Sequence, residues 1–169
     1  IHKTKIDVVA DLNLPLNIEP EIADTVVSLS VLEHLYDPQM MLNEAFRILK
    51  PGGSILLQVP WQWWIHEGPH DYFRYTPYAL QYMFDKSGFV NVTVKAQSGF
   101  FSMAILKFNY FSARILGTSL PRPLKYMMAG CLIPFWYLGQ VVAPWLDKFD
   151  NNWSLETIGY YVTAKKPER

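Results

Sequence analysis

The stretch DTVVSLSVLEHLYDPQMMLNEAFRILKPGGSILLQVP, residues 24–60, decides the fold of this chain. Its first apolar run, Thr25 to Leu29, is rich in β-branched residues and predicts a buried strand. Asp37 and Pro38 predict a helix start, because Asp37 can accept from free N–H groups of the first turn and Pro38 has no N–H to lose there. A second apolar strand, Ser54 to Val59, follows. Strand, helix and strand together form one crossover unit of a parallel sheet.

The predicted helix has an apolar face and a defined end. The face consists of residues at helical spacing, namely Met41, Leu42, Ala45, Phe46 and Leu49. Lys50-Pro51-Gly52-Gly53 is predicted to end the helix, because the proline cannot continue it and glycine tolerates positive φ. Ligands of open α/β sheets bind outside the carboxyl ends of the strands, so we expect the site at Ser30 to His34 and from Pro60 onward.

Composition narrows the class of protein. The chain has 169 residues, half of them hydrophobic, which is enough for one ordinary domain with a sizeable core. Its formal net charge is zero, which argues against a nucleic-acid partner bound through phosphates. The single cysteine, Cys131, excludes an internal disulfide. Charge is unevenly spread, since residues 98–146 contain four cations and no acidic residue.

Three further strands and a second helix are predicted. Ile6 to Ala10 is a short apolar run. Val90 to Lys95 and Ile158 to Lys165 alternate apolar and polar residues, which is typical of half-buried strands. Before Val90, Thr76-Pro77 begins a helix and Gly88 ends it. The sequence therefore predicts an α/β fold.

Several motifs in a fixed order resemble the class I S-adenosylmethionine-dependent methyltransferases. They are Asp11 with Leu14-Pro15, Asp24-Thr25-Val26-Val27, Val31-Leu32-Glu33-His34 with Asp37-Pro38, Glu44 with Arg47-Ile48-Leu49-Lys50-Pro51-Gly52-Gly53, and the run His66 to Pro77. The resemblance implies a Rossmann-like sheet in the order 3-2-1-4-5-7-6 with the last strand antiparallel. It covers roughly half of the chain, from Asp11 to Phe89.

Mapped onto that order, the chain supplies an incomplete sheet. Ile6 to Ala10 corresponds to strand 3, Thr25 to Leu29 to strand 4, Ser54 to Val59 to strand 5, Val90 to Lys95 to strand 6 and Ile158 to Lys165 to strand 7. Strands 1 and 2, with their glycine-rich turn, find no counterpart. We therefore expect the carboxyl-terminal part of a methyltransferase that does not methylate by itself, with an open edge at strand 4 unless strand 3 lies there.

The resemblance implies S-adenosylmethionine as the cofactor. Its expected contacts are Asp11, Leu12, Ser30, Val31, Leu32 and His34. Asp11 would accept from the adenine amino group beside the backbone of Leu12, and Ser30 to Leu32 would line the methionine and sulfonium end. Two alternatives stay open: Asp11 can be a solvated strand end, and His34 can simply pack its loop.

The aromatic loop after Pro60 supplies the expected catalytic and substrate residues. His66, His70 and Asp71 are candidates for a base that deprotonates the acceptor, because imidazole titrates near neutrality. The expected substrate contacts are Trp61, Trp64, Tyr72, Arg74 and Tyr75. A structural alternative is that Asp71 and Arg74 only pair with each other. None of these residues is assigned to a metal.

An apolar helical insertion, residues 98–153, separates the two parts of the predicted core, residues 1–97 and 154–169. The first interpretation is a lid over the acceptor site. The second is a membrane-facing element whose cations lie near anionic headgroups, each contributing roughly 1 kcal/mol. The third is a dimer interface. Oligomeric state stays open at this point.

Two other functions compete with methyl transfer to a small-molecule, sugar or lipid-linked acceptor. A degenerate methyltransferase-like domain could serve as a binding or scaffold module, and a nicotinamide-dependent dehydrogenase shares the doubly wound pattern but not the antiparallel last strand. We expect a cytoplasmic protein, peripheral at the inner face of the membrane if the second interpretation of the insertion holds.

Overall fold

A computed structural model describes residues 8–118 and 120–168. Its strands are β1 (Ala23–Leu29), β2 (Leu49–Pro60), β3 (Val90–Ala96) and β4 (Gly159–Lys165). Its α-helices are α1 (Pro38–Ile48), α2 (Pro77–Ser87), α3 (Phe100–Leu116) and α4 (Arg122–Leu146). Short 3-10 turns lie at Leu32–His34, Asp147–Phe149 and Trp153–Leu155.

The four strands form one sheet in the order β1-β2-β4-β3. Strands β1 and β2 are parallel, with Leu29 opposite Gln58. Strand β4 runs antiparallel to β2, because the Lys166 N–H donates to the Gly53 carbonyl at 2.9 Å whereas the Trp61 N–H, at the other end of β2, donates to the Ile158 carbonyl at 2.7 Å. The predicted α/β class with an incomplete, Rossmann-like sheet is confirmed.

Strand β1 lies at the edge of the sheet, as expected from the absence of strands 1 and 2. Among the described residues no strand pairs with its outer side, and Val27 and Leu29 are more than half exposed. The predicted strand Ile6 to Ala10 begins outside the described residues, and Val8 to Ala10 lie in no strand. Residues Val8 to Ala10 therefore do not form a strand at the edge of β1.

The helix starts confirm the capping predictions, whereas one helix end differs. Asp37 accepts from the Met40 N–H at 3.1 Å, and Gly88 ends α2 with a left-handed φ of 91°. Helix α1, however, ends at Ile48, and Leu49 is already extended. Lys50-Pro51-Gly52-Gly53, which was predicted to end the helix, lies within β2, because its backbone pairs with Lys166 across the sheet.

The hydrophobic core forms between the sheet and its helices. The largest fully buried apolar side chains are Leu32, Leu42, Leu49, Ile55, Leu57, Val59, Leu80, Phe84 and Val162. In β4, Tyr160, Val162 and Ala164 are buried while Tyr161 and Lys165 are exposed, so the predicted alternation is confirmed.

The described chain divides into two compact units. The first comprises the residues through Pro60, residues 64–95 and residues from 161 onward; the second comprises residues 61–63 and 96–160. Within the second unit, α3 and α4 pack on each other, and the Trp136 indole N–H donates to the Ser112 hydroxyl at 3.0 Å.

A buried carboxylate joins the two ends of this helix pair. Asp147 follows α4 and accepts from the N–H groups of Gly99, Phe101 and Ser102 at 3.1, 2.8 and 3.3 Å. It therefore satisfies free donors at the start of α3, which has no cap of its own. Gly99 is required there, since a Cβ at this position would lie 2.6 Å from the Asp147 carboxyl carbon.

Helix α4 leaves its apolar side chains exposed. The segment Arg122–Phe149 is, by length and composition alone, the one helical stretch among the described residues that could cross a bilayer, and 6% of its most apolar window is buried. A helix that is apolar all round normally lies in a protein core or in lipid. The exposed apolar side chains of α4 therefore indicate that a protein or lipid surface covers this helix.

Candidate functional site

Ser30 adopts a strained backbone conformation in the turn at the carboxyl end of β1. Its φ is 52°, a left-handed conformation that costs a residue with a side chain about 1–2 kcal/mol. Gln58 of β2 fixes the turn: the Ser30 N–H donates to its backbone carbonyl at 3.0 Å and the Ser30 hydroxyl donates to its side-chain oxygen at 2.7 Å. Backbone strain of this kind is concentrated at functional sites.

A cavity of about 240 Å³ lies between β1, α1 and the loop before β1. Its lining is mainly apolar, from Leu12, Leu16, Val26, Val27, Leu29, Val31, Met41, Ala45 and Ile48, with Ser28 and Glu44 as polar members. The Ser28 hydroxyl is buried and has no hydrogen-bond partner among the described residues. Ligand pockets usually measure about 300–1,000 Å³, so this cavity fits part of a cofactor.

The structure brings only some of the expected cofactor contacts to this cavity. Leu12 and Val31 line it. Asp11 is exposed and accepts from the Asn13 N–H at 2.9 Å, so one of its oxygens stabilises a local turn. Leu32 is fully buried in the core, which leaves its backbone rather than its side chain for any ligand contact.

The ion pair between Glu44 and Arg47 fixes the loop over the cavity. The sequence analysis gave both residues only as part of a motif. Glu44 accepts from the Leu16 N–H at 2.7 Å and from two guanidinium nitrogens of Arg47 at 2.9 and 2.8 Å. Arg47 also donates to the carbonyls of Leu16 and Ile18. These bonds to Arg47 hold the pKa of Glu44 below its usual value. The i,i+3 spacing of Glu44 and Arg47 on a helix was the available signal.

The aromatic loop is bonded to the 3-10 turn after β1. The Tyr72 N–H donates to the Glu33 carbonyl at 2.9 Å, and the Tyr75 hydroxyl donates to the Leu32 carbonyl at 2.9 Å. Tyr75, an expected substrate contact, is thus a buried core residue, and burial raises the pKa of its phenol. Its side chain supports the site without facing a substrate.

Asp71 and Arg74 form a bidentate ion pair. Arg74 donates to both Asp71 oxygens at 2.6 and 2.7 Å, and the His66 N–H donates to Oδ2 at 3.0 Å. The Arg74 guanidinium holds the pKa of Asp71 well below its usual range, and the carboxylate is therefore a weak base. This geometry favours the structural alternative that was left open for the pair.

Glu33, His34 and His66 form a second cluster beside this ion pair. Glu33 Oε1 is 3.7 Å from His34 Nε2 and 4.0 Å from His66 Nε2, and the two imidazole rings are 4.7 Å apart. Burial raises the pKa of the Glu33 carboxyl group. The sequence analysis gave Glu33 only as part of a motif, and nothing in the spacing of residues 33, 34 and 66 indicates that they meet.

The remaining expected residues lie closer to solvent. His70 is exposed, with Nδ1 3.2 Å from the Tyr72 hydroxyl, and Trp64 and Tyr72 are each more than two-fifths exposed. Trp61 belongs to the second compact unit. In the first unit, an exposed histidine and two aromatic surfaces are therefore available to an acceptor.

Comparison with known proteins agrees with this fold. A family model described as a methyltransferase domain matches residues 2–57. A Mycolicibacterium smegmatis protein described as a probable S-adenosylmethionine-dependent methyltransferase is 46% identical over 37 residues, which cover 22% of this chain and 14% of that protein.

Two solved structures share the fold at low sequence identity. The Haemonchus contortus phosphoethanolamine N-methyltransferase 2, in complex with phosphomonomethylethanolamine and S-adenosylhomocysteine, has a TM-score of 0.51 and 16% identity over 89% of this chain and 35% of its own. A Haloferax volcanii methyltransferase in complex with the activator Trm112 has a TM-score of 0.56 and 16% identity over 98% and 65%.

The chain has a Rossmann-like α/β fold, and its candidate ligand site lies at the carboxyl end of β1. The resemblance is confirmed as a similarity: residues 2–57 match a methyltransferase-domain model, and the fold is that of solved S-adenosylmethionine-dependent methyltransferases. It spans 14% of the mycobacterial relative and about a third of the nematode enzyme.

Proposed function

We propose that the protein carrying this chain transfers a methyl group from S-adenosylmethionine to a small-molecule or lipid-linked acceptor. One observation carries the proposal: the segment that matches the methyltransferase family model, residues 2–57, builds the strained Ser30 turn and the adjoining cavity. The cofactor would therefore lie at the carboxyl end of β1, where ligands of open α/β sheets bind.

The residues of this chain fit part of the cofactor. Leu12 and Val31 offer apolar surface to a purine or a methionine side chain, and the unpartnered Ser28 hydroxyl offers a hydrogen bond inside the cavity. When bound, S-adenosylmethionine supplies an electrophilic methyl group on a sulfonium sulfur. Orienting the acceptor against that group can supply much of the rate, since effective molarities for good alignment reach about 10⁵ M or more.

An oxygen or nitrogen acceptor must also release a proton. His66 and His70 remain the proposed bases, since the Asp71 carboxylate is engaged by Arg74. His70 is the more exposed of the two and lies beside Tyr72. The exposed aromatic surfaces of Trp64 and Tyr72 suit an acceptor with a flat or apolar part.

The experiment is a methyl-transfer assay with labelled S-adenosylmethionine on the gene product that carries this chain, against soluble and lipid-linked acceptors. We expect labelled product from the wild type and none from Val31→Trp, whose indole fills the cavity. The matched control is Val90→Trp, an exposed valine in β3, which should keep activity. Cofactor binding with no transfer to any acceptor would support a binding module instead.

We further propose that α3 and α4 hold the protein at the inner face of a membrane. The proposal is supported by the exposure of apolar side chains on α4, including Tyr126, Met127, Leu138 and Trp145. It is also supported by charge, because residues 98–146 carry four cations and no acid, which complements anionic headgroups. A membrane location would bring the enzyme to a lipid-linked acceptor.

Sedimentation with phosphatidylcholine vesicles, with and without phosphatidylserine, tests this location. We expect binding that requires phosphatidylserine and weakens with salt. Arg122→Glu with Lys125→Glu should weaken it at least about tenfold, since each cation near the surface contributes roughly 1 kcal/mol. Lys86→Glu with Lys95→Glu, exposed cations outside this segment, is the control. Self-association without vesicle binding would contradict the proposal and favour a dimer interface.

A further inference from the structure

Glu33 is a buried carboxylate whose side-chain oxygens accept no hydrogen bond from the described residues. Its side chain is fully buried. Its Oε1 lies 3.7 Å from Nε2 of His34 and 4.0 Å from Nε2 of His66. A buried charge without compensating contacts is costly, so a cation bound at this cluster would stabilise the charged form of Glu33.

The outer nitrogens of both imidazoles already face backbone carbonyls. His34 Nδ1 is 2.8 Å from the His70 carbonyl oxygen, and His66 Nδ1 is 3.2 Å from the Trp64 carbonyl oxygen. A carbonyl oxygen only accepts, so each Nδ1 carries the hydrogen. The Nε2 atom of a neutral imidazole then presents a lone pair. Two imidazole nitrogens with lone pairs therefore lie within 4.0 Å of the Glu33 carboxylate.

We propose that Glu33, His34 and His66 bind one divalent transition-metal ion of the zinc class. Their ligand atoms all lie within 4.8 Å of one another. Ligands about 2.1 Å from a tetrahedral ion are about 3.4 Å apart, so small rotations of these side chains complete the site. The His34 and His66 side chains are 16% and 23% exposed, which gives solvent a path to the ion.

The surroundings of the two histidines match those of metal ligands. Metal-bound histidine usually donates its other N–H to a carbonyl or carboxylate, as both Nδ1 atoms are placed to do here. Two imidazoles and one carboxylate favour zinc, cobalt, nickel or iron over magnesium and calcium, which prefer oxygen ligands. The ion would tie the turn after β1 to the aromatic loop. This inference goes beyond the proposed function and does not rest on it. A metal-bound His66 has no free lone pair, so His70 alone would then be the base.

Metal titration of the protein after treatment with a chelator tests the site. Binding is measured by calorimetry and, for Co²⁺, also by the visible absorption of the bound ion. We expect one equivalent of Zn²⁺ or Co²⁺ to bind per chain, whereas Mg²⁺ should give no signal. Glu33→Gln and His66→Asn should each weaken Zn²⁺ binding at least about 100-fold. Wild-type protein should also melt at a higher temperature with Zn²⁺ than without.

His70→Asn is the matched control, because it removes a nearby imidazole but keeps the carbonyl that faces His34 Nδ1. Its Zn²⁺ affinity should equal that of the wild type. Circular dichroism of each metal-free variant shows whether it is folded, and Glu33→Gln should not be less stable than the metal-free wild type, since it removes an unpaired buried charge. No saturable binding by the wild type, binding that survives Glu33→Gln, or equal losses in His70→Asn and His66→Asn would each overturn the proposal.

Discussion

Arg74→Ala is expected to lower the free energy of unfolding of the first compact unit by about 3–5 kcal/mol, the usual cost of leaving one partner of a buried ion pair alone. The Asp71 side chain is 2% exposed and relies on Arg74 for two hydrogen bonds. Arg74 also donates to the carbonyls of Phe73 and Trp64, so its loss releases the aromatic loop as well. Urea denaturation followed by circular dichroism measures the change.

Two comparisons make this prediction specific. Arg114→Ala removes an exposed guanidinium that stacks on Phe111, and should cost less than about 1 kcal/mol. The double replacement of Asp71→Asn and Arg74→Met should lose less than Arg74→Ala alone, because it removes both charges together. If Arg74→Ala lowers the free energy of unfolding no more than Arg114→Ala does, Asp71 does not depend on this ion pair.

Asp147→Ala is expected to destabilise the second compact unit by about 2 kcal/mol. The change leaves the N–H groups of Gly99, Phe101 and Ser102 without their acceptor at the start of α3. Losing a helix cap costs about 0.5–2 kcal/mol, and buried donors without partners raise the cost. Because Asp147 follows α4, we also expect α3 and α4 to separate more readily, measured as faster amide hydrogen exchange in α3.

Asp150→Ala is the control for this position. Asp150 is a nearby aspartate with one exposed bond to the Asn152 N–H, and its loss should have little effect on α3. Gly99→Ala should reproduce the effect of Asp147→Ala, because the new Cβ would collide with the Asp147 carboxyl group. Unchanged hydrogen exchange in both Asp147→Ala and Gly99→Ala would show that the buried carboxylate does not join the helices.

The elements that could be predicted from sequence are those that depend on local chemistry. Capping by Asp37 and Thr76, the left-handed end at Gly88 and the alternation in β4 all follow from nearby residues. The structure of Lys50-Pro51-Gly52-Gly53 differs from the prediction, because its strand conformation depends on pairing with Lys166, which is distant in sequence. Local turn chemistry was outweighed by sheet pairing at that point.

The candidate site was less predictable, because its chemistry comes from separate loops. Tyr75 resembled a substrate contact in an aromatic run, yet its hydroxyl reaches the Leu32 carbonyl in the core. Glu33 meets His66 only after the aromatic loop folds onto the turn after β1. The resemblance did indicate the region after β1, where Ser30 adopts its left-handed conformation.

The most direct measurement of the central claim is a titration of the gene product that carries this chain with S-adenosylhomocysteine, followed by amide NMR shifts. If the cofactor lies at the carboxyl end of β1, the amides of Leu12, Ser30 and Val31 should shift with one saturable curve, while those of Val90 and Lys95 in β3 should not. Saturable binding that leaves Leu12, Ser30 and Val31 unshifted, or no binding at all, would contradict the proposed site.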